Sequence, residues 1–177
     1  MGCNAGCSVV DGTNNVAIGC KAGPSSGTSS NGTNNITLGT CAGYSLTGGS
    51  HNVLLGISAG QSQTTANTNV FIGYQSGKSF ATGGSQIFIG EQTAFCMCCG
   101  YQNIALGYRA LRGSTTVSDN TGEKNIALGT SPGESITSGS HNTFIGSGAG
   151  SAVTSGTYNL FLGHYSGCGV TTGCRNI

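Results

Sequence analysis

A five-residue phrase, Asn, apolar, any, apolar, Gly, returns along the chain at a spacing of 17 residues. It reads Asn52-Val53-Leu54-Leu55-Gly56, Asn69-Val70-Phe71-Ile72-Gly73, Asn103-Ile104-Ala105-Leu106-Gly107, Asn142-Thr143-Phe144-Ile145-Gly146 and Asn159-Leu160-Phe161-Leu162-Gly163. A unit this short cannot bury an apolar face alone, so its neighbours in the series must bury it by stacking. The period therefore predicts a solenoid. The signature glycines are Gly2, Gly19, Gly39, Gly56, Gly73, Gly90, Gly107, Gly129, Gly146 and Gly163, and seven of their nine intervals are 17. The other two, 20 and 22, place insertions at 26–32 and 117–122, where a solenoid accepts loops at a corner.

Alternation before each glycine predicts a short strand with Val16/Ile18, Ile36/Leu38, Val53/Leu55, Ile104/Leu106 and Leu160/Leu162 on one face. These pairs are the expected core ladder. Four residues after the signature glycine comes a second one, as at Gly23, Gly43, Gly60 and Gly77, which marks a tight corner. A second strand is expected beyond it, carrying Val9, Leu46, Phe80, Met97, Ile136, Val153 and Val170, followed by Thr/Ser pairs and a third glycine. The expected fold is all-β: a parallel β-solenoid, or β-roll, of about ten 17-residue coils with two short strands per coil, forming one repeat domain over 1–177. At the spacing of neighbouring strands the stack is a rod of roughly 50 Å.

Stacking aligns Asn15, Asn35, Asn52, Asn69, Asn103, Asn125, Asn142 and Asn159 into one column, with Gln86 as the single amide substitute. Stacked amides bond to one another and to turn backbone, which suits a structural role better than a ligand-binding one. If the flanking aliphatics point inward, the middle residue points outward, and Leu54, Phe71, Phe88, Phe144 and Phe161 then form an exposed apolar stripe. Such a stripe is an expected lateral interface, the alternative being that a wide coil buries this side too. Three chains is the natural closed number for rods packed side by side.

The phrase Asn69-Val70-Phe71-Ile72-Gly73-Tyr74-Gln75-Ser76-Gly77, its relatives ending in Ile145-Gly146-Ser147-Gly148-Ala149-Gly150, and the Thr-Thr-Gly element resemble the head repeats of trimeric autotransporter adhesins. They are still more similar to the glycine-rich repeats of phage and bacterial tail-fibre proteins. The resemblance covers essentially the whole chain. It implies a parallel β-roll, three chains side by side, extracellular or cell- or virion-surface exposure, and attachment or spacing in place of catalysis. The coil here is longer than in the adhesin heads, and nine cysteines depart from both families.

Composition narrows the function classes. Net charge is +1 with no basic run, which lacks the electrostatic footprint of a nucleic-acid binder. No apolar stretch approaches the ~18 residues of a membrane span. The five carboxylates, Asp11, Glu91, Asp119, Glu123 and Glu134, do not pair in the repeat register, no Ser-His-Asp grouping emerges, and the Gly-rich turns lack the Lys and helix of a phosphate loop. No catalytic residue, metal site or cofactor is expected.

The cysteine content points to an oxidising compartment. Cys3 and Cys20 share one register in successive coils, a spacing that suits an inter-coil disulfide. Cys7 and Cys168 share another register in the first and last coils and are candidates for a disulfide between subunits stacked head to tail. Cys96-Met97-Cys98-Cys99 lacks the separated pairs of a zinc site, so disulfides or packed thiols are the expected use. Asn31-Gly32-Thr33 is a sequon in an insertion, making Asn31 the glycosylation candidate, whereas Asn35 belongs to the ladder. His51, His141 and His164 are expected in surface or stacking roles.

The sequence supports a structural repeat protein, the shaft of an extracellular fibre that self-associates as a homotrimer, a head-to-tail filament or both. Its chain ends fit either a window of a longer fibre or subunits that complete each other's coils. The alternative is a receptor-binding adhesin or tail-fibre head, whose partner would be a surface glycan or receptor. Ice binding fits poorly, because its ranked threonines would be interrupted at Ala81, Cys98-Cys99 and Ser138.

Overall fold

A computed structural model of the chain, describing residues 2–24, 27 and 29–177, is a parallel β-solenoid. Met1, and Ser26 and Thr28 of the first insertion, lie outside the described residues. The strands are β1 (Val16–Ile18), β2 (Ile36–Leu38), β3 (Val53–Leu55), β4 (Val70–Ile72), β5 (Ile87–Ile89), β6 (Ile104–Leu106), β7 (Ile126–Leu128), β8 (Thr143–Ile145) and β9 (Leu160–Leu162). They form one sheet in chain order, every pair parallel. The register is that of the repeat: Leu54 sits beside Phe71 and Phe71 beside Phe88. Both insertions leave it intact, since Ala17 still pairs with Thr37 and Ala105 with Ala127.

The expected second strand is not a strand. Among the described residues each coil contributes one three-residue strand to the sheet, and outside it only the bridges Val9–Ser30, Asn67–Gly84 and Gly84–Tyr101 form. The remaining perimeter is turn, yet its backbone still bonds from coil to coil, as in Thr47 N–H to the Thr64 carbonyl at 3.0 Å and Thr64 N–H to that of Ala81 at 3.0 Å. Corners break a ladder because many of their residues have positive φ. The residue before each ladder amide adopts φ near 60°, for example His51 at 61° and Thr68 at 57°. The second residue after the signature glycine does the same, for example Gln75 at 56°. These left-handed positions turn the chain sharply and interrupt pairing.

The signature glycine is fixed by close approach as well as by conformation. Gly39 has φ +131°, and a Cβ there would lie 2.6 Å from the carbonyl of Gly56 in the next coil. The stack closes to its repeat distance only if that column carries no side chain.

The interior is the reverse of the expected one. Leu54, Phe71, Phe88, Ala105, Ala127 and Phe144 are fully buried and Phe161 is 5% exposed. Their neighbours Val16, Ile18, Ile36, Leu38, Ile104, Leu106, Leu160 and Leu162 face outward. The lateral-interface assignment of Leu54, Phe71, Phe88, Phe144 and Phe161 is therefore corrected: these residues are the core. Phe71 stacks on Phe88 with centroids 4.7 Å apart, and Phe80 from the opposite wall meets both rings edge-on at 5.5 and 5.9 Å. The lumen holds one strand side chain per coil besides the amide, plus one residue from the far wall such as Leu46, Phe80, Met97, Ile136 or Val153.

The asparagine column forms as expected and lies inside. Asn52 donates its backbone N–H and its Nδ2 to the Asn35 Oδ1, each at 3.0 Å, and Nδ2 also reaches the Ala66 carbonyl at 2.9 Å. Asn125, Asn142 and Asn159 repeat this arrangement. Each such amide supplies two donors and an oxygen shared by two donors above, so a polar column is buried with its hydrogen bonds made.

Candidate association face and thiol sites

The outer face of the sheet carries two parallel rows of side chains, the residues flanking the buried centre of each strand. Eleven of the flanking aliphatics, among them Ile36, Ile87, Ile104, Ile126, Ile145 and Leu162, are between 36% and 58% exposed. Those of β3 and β4, Val53, Leu55, Val70 and Ile72, are half-buried. Among the described residues Thr143 is the only polar residue in either row, and neither row holds a charge. The two rows give the sheet an apolar outer face along nine strands.

The perimeter on the corner after the sheet is polar and partly ordered. Arg109 Nε donates to Gln92 Oε1 at 3.1 Å, and Gln92 Nε2 donates to Gln75 Oε1 at 3.3 Å, a side-chain ladder across three coils. Arg109 also approaches Glu134 at 3.8 Å. Lys78 and Arg112 sit over the Phe95 ring at 5.4 and 5.8 Å. His141 stacks on Tyr158 at 4.7 Å and His51 Nε2 meets Asn34 Nδ2 at 3.2 Å, the stacking and surface roles expected of them. His164 is exposed beside Tyr165.

All nine cysteines are free thiols in this structure. Cys3 and Cys20 lie exposed on one corner of neighbouring coils, where Lys21 N–H donates to the Cys3 carbonyl at 2.8 Å. Cys7 and Cys168 are exposed in the first and last coils. The run Cys96-Met97-Cys98-Cys99, expected to hold disulfides or packed thiols, brings two thiols together: Cys98 Sγ is 3.1 Å from Cys99 Sγ. Burial, opposed by the nearby Arg112 charge, pushes the Cys96 thiol up. Burial, reinforced by the contact with Cys99, pushes the Cys98 thiol up to about 11. Among the described residues no three His, Cys, Asp or Glu side chains are grouped to hold a metal ion.

Asn31 is exposed and Asn35 is buried within the ladder. The described part of the first insertion, with Val10, Asp11, Asn31 and Thr47, borders an open hollow of about 320 Å³. The second insertion contains the 3₁₀ turn Val117–Asp119 and closes on Asn120, whose Nδ2 donates to the carbonyls of Cys96, Ser114 and Thr116.

Fold and surface together define a β-solenoid repeat protein with an uncharged apolar sheet face. No protein-family model matches the chain, and no curated protein or solved structure matches it significantly.

Proposed function

We propose that this chain is a structural repeat protein, the shaft of an extracellular or surface fibre, and that it associates side by side with copies of itself through the outer sheet face. The observation that carries the reading is the pair of apolar rows along nine strands. Water contact with such rows is unfavourable by ~25 cal/mol for each Å² exposed, so covering them with an identical face stabilises an assembly. Three rods around a common axis, each of about ten coils, close this arrangement and leave the polar corners outside. The buried amide column and the coil-to-coil bonds supply the stiffness that a shaft needs.

Disulfides between Cys3 and Cys20, and between Cys7 and Cys168 of successive subunits, belong to the same reading. So does a non-catalytic role. The alternative, an attachment head, draws its support from the hollow beside the first insertion, where Asp11, Asn31 and Thr47 offer polar groups to a surface glycan. Electron microscopy of native material, with reducing and non-reducing gels alongside, separates the readings. Bundled rods or filaments are expected for the shaft, and filaments that shorten on reduction for the Cys7–Cys168 link. Monodisperse single rods that bind a glycan array would instead support the attachment head.

A further inference from the structure

We propose that Cys98 and Cys99 form a dithiol modification site, one that a small-molecule disulfide such as oxidised glutathione closes into a disulfide between the two adjacent residues. The chain bends at Cys99 and brings the two Sγ atoms to 3.1 Å. That separation is about one ångström longer than the ~2.05 Å of a disulfide bond. Both residues are partly exposed, so a tripeptide-sized reagent can reach them.

Cys98 also has a structural role. In this column of the solenoid a threonine hydroxyl donates to the carbonyl of the next coil: Thr47 to Thr64 at 3.3 Å, Thr64 to Ala81 at 3.1 Å and Thr154 to Thr171 at 3.3 Å. Cys98 Sγ takes that role toward the Asn120 carbonyl at 3.4 Å. A threonine would serve the hydrogen bond equally well. It would not serve a thiol pair, and Cys99 beside it completes one.

The chemistry balances with one disulfide consumed. The Cys98 thiol keeps its proton at neutral pH, because burial and the neighbouring sulfur hold it up to about 11. Its Sγ is also engaged with the Asn120 carbonyl at 3.4 Å, so Cys99 attacks first. Its thiolate displaces one glutathione thiolate from oxidised glutathione and forms a mixed disulfide. Cys98 then gives its proton to solvent, attacks Cys99 Sγ and expels the second glutathione thiolate. Two cysteine thiols are oxidised, one glutathione disulfide is reduced to two thiols, and no glutathione stays on the protein.

The test uses the purified full chain equilibrated with oxidised glutathione. Thiols are alkylated with iodoacetamide, then the sample is reduced, labelled with N-ethylmaleimide and mapped by peptide mass spectrometry. Iodoacetamide labelling of both Cys98 and Cys99 is expected to fall about tenfold, with the segment two hydrogens lighter before reduction and free of glutathione. In Cys98→Thr, which preserves the bond to Asn120, Cys99 is expected to retain a glutathione adduct, since no resolving thiol remains. The proposal is overturned if the adduct persists on Cys99 in the parent chain, if both thiols stay open to iodoacetamide, or if either pairs instead with Cys96 or a thiol of another coil.

Discussion

The backbone N–H of Gln86 donates to the Asn69 Oδ1 at 3.0 Å, yet the Gln86 side chain donates to nothing: its buried Nε2 has no hydrogen-bond partner. The extra methylene carries the amide past the position from which Asn52, Asn125, Asn142 and Asn159 reach both the Oδ1 of one neighbouring coil and a corner carbonyl. Gln86→Asn restores those two bonds. Since an orphaned buried donor costs ~1–3 kcal/mol, the variant is expected to be more stable by about 1 kcal/mol after the loss of one buried methylene. Urea denaturation at constant slope measures it.

The opposite change breaks the column where it is complete. Asn142 receives two bonds from Asn159 and donates Nδ2 to Asn125 Oδ1 and to the Gly156 carbonyl. Asn142→Leu keeps the branched shape, with slightly bulkier tips, and removes all four bonds. It is expected to cost about 3–5 kcal/mol, through stranded donors and acceptors more than lost attraction, and chemical denaturation reads the change.

Core and surface are distinguished by a pair of truncations. Phe71→Ala opens a void beside Phe80 and Phe88 and is expected to destabilise the chain by ~3–5 kcal/mol. Ile104→Ser touches an outer row, and in the dissociated chain it is expected to change stability by under about 1 kcal/mol. Thermal unfolding at high dilution compares them; equal losses would return Phe71 and Ile104 to the same environment.

The raised Cys98 thiol makes stability fall at alkaline pH. Unfolding returns it to its ordinary value of 9.0 from about 11, so between those values the unfolded chain loses a proton that the folded chain keeps. Stability is retained below pH 9 and declines as pH rises toward about 11. Cys98→Thr is expected to show a shallower decline of the unfolding midpoint across that window, measured under reducing conditions.

The period, the parallel stacking and the amide column were legible because each follows from spacing alone. The inversion of the interior was not, although its signal lay in the same five residues. Asn52 and Leu54 are two apart and so share a face of an extended strand. Once the amides are assigned to the inside, the middle residue must join them. The flanking aliphatics looked like a core because they are apolar in nearly every coil, but alternation identifies two faces without saying which is wet. Size offered a second clue. The strand centre ranges from Ala105 to Phe71, and the corner glycine column compensates: Gly77 lies against the Phe71 ring, where its Cβ would sit 2.6 Å away, whereas Leu111 fills the corresponding place in the coil of Ala105. Such exchange of volume belongs to a packed lumen. The Cys98–Cys99 contact was hidden because adjacent residues in an extended strand point apart, and only the bend at Cys99 brings their sulfurs together.

The most direct test of side-by-side association through the outer face is sedimentation equilibrium of the parent chain and of the combined variant Ile87→Ser, Ile104→Ser, Ile126→Ser, both under reducing conditions. The parent is expected to sediment as an oligomer, specifically a trimer, and the variant as a folded monomer. A parent chain that sediments as a monomer, or a variant that keeps the parent's mass, would contradict side-by-side association.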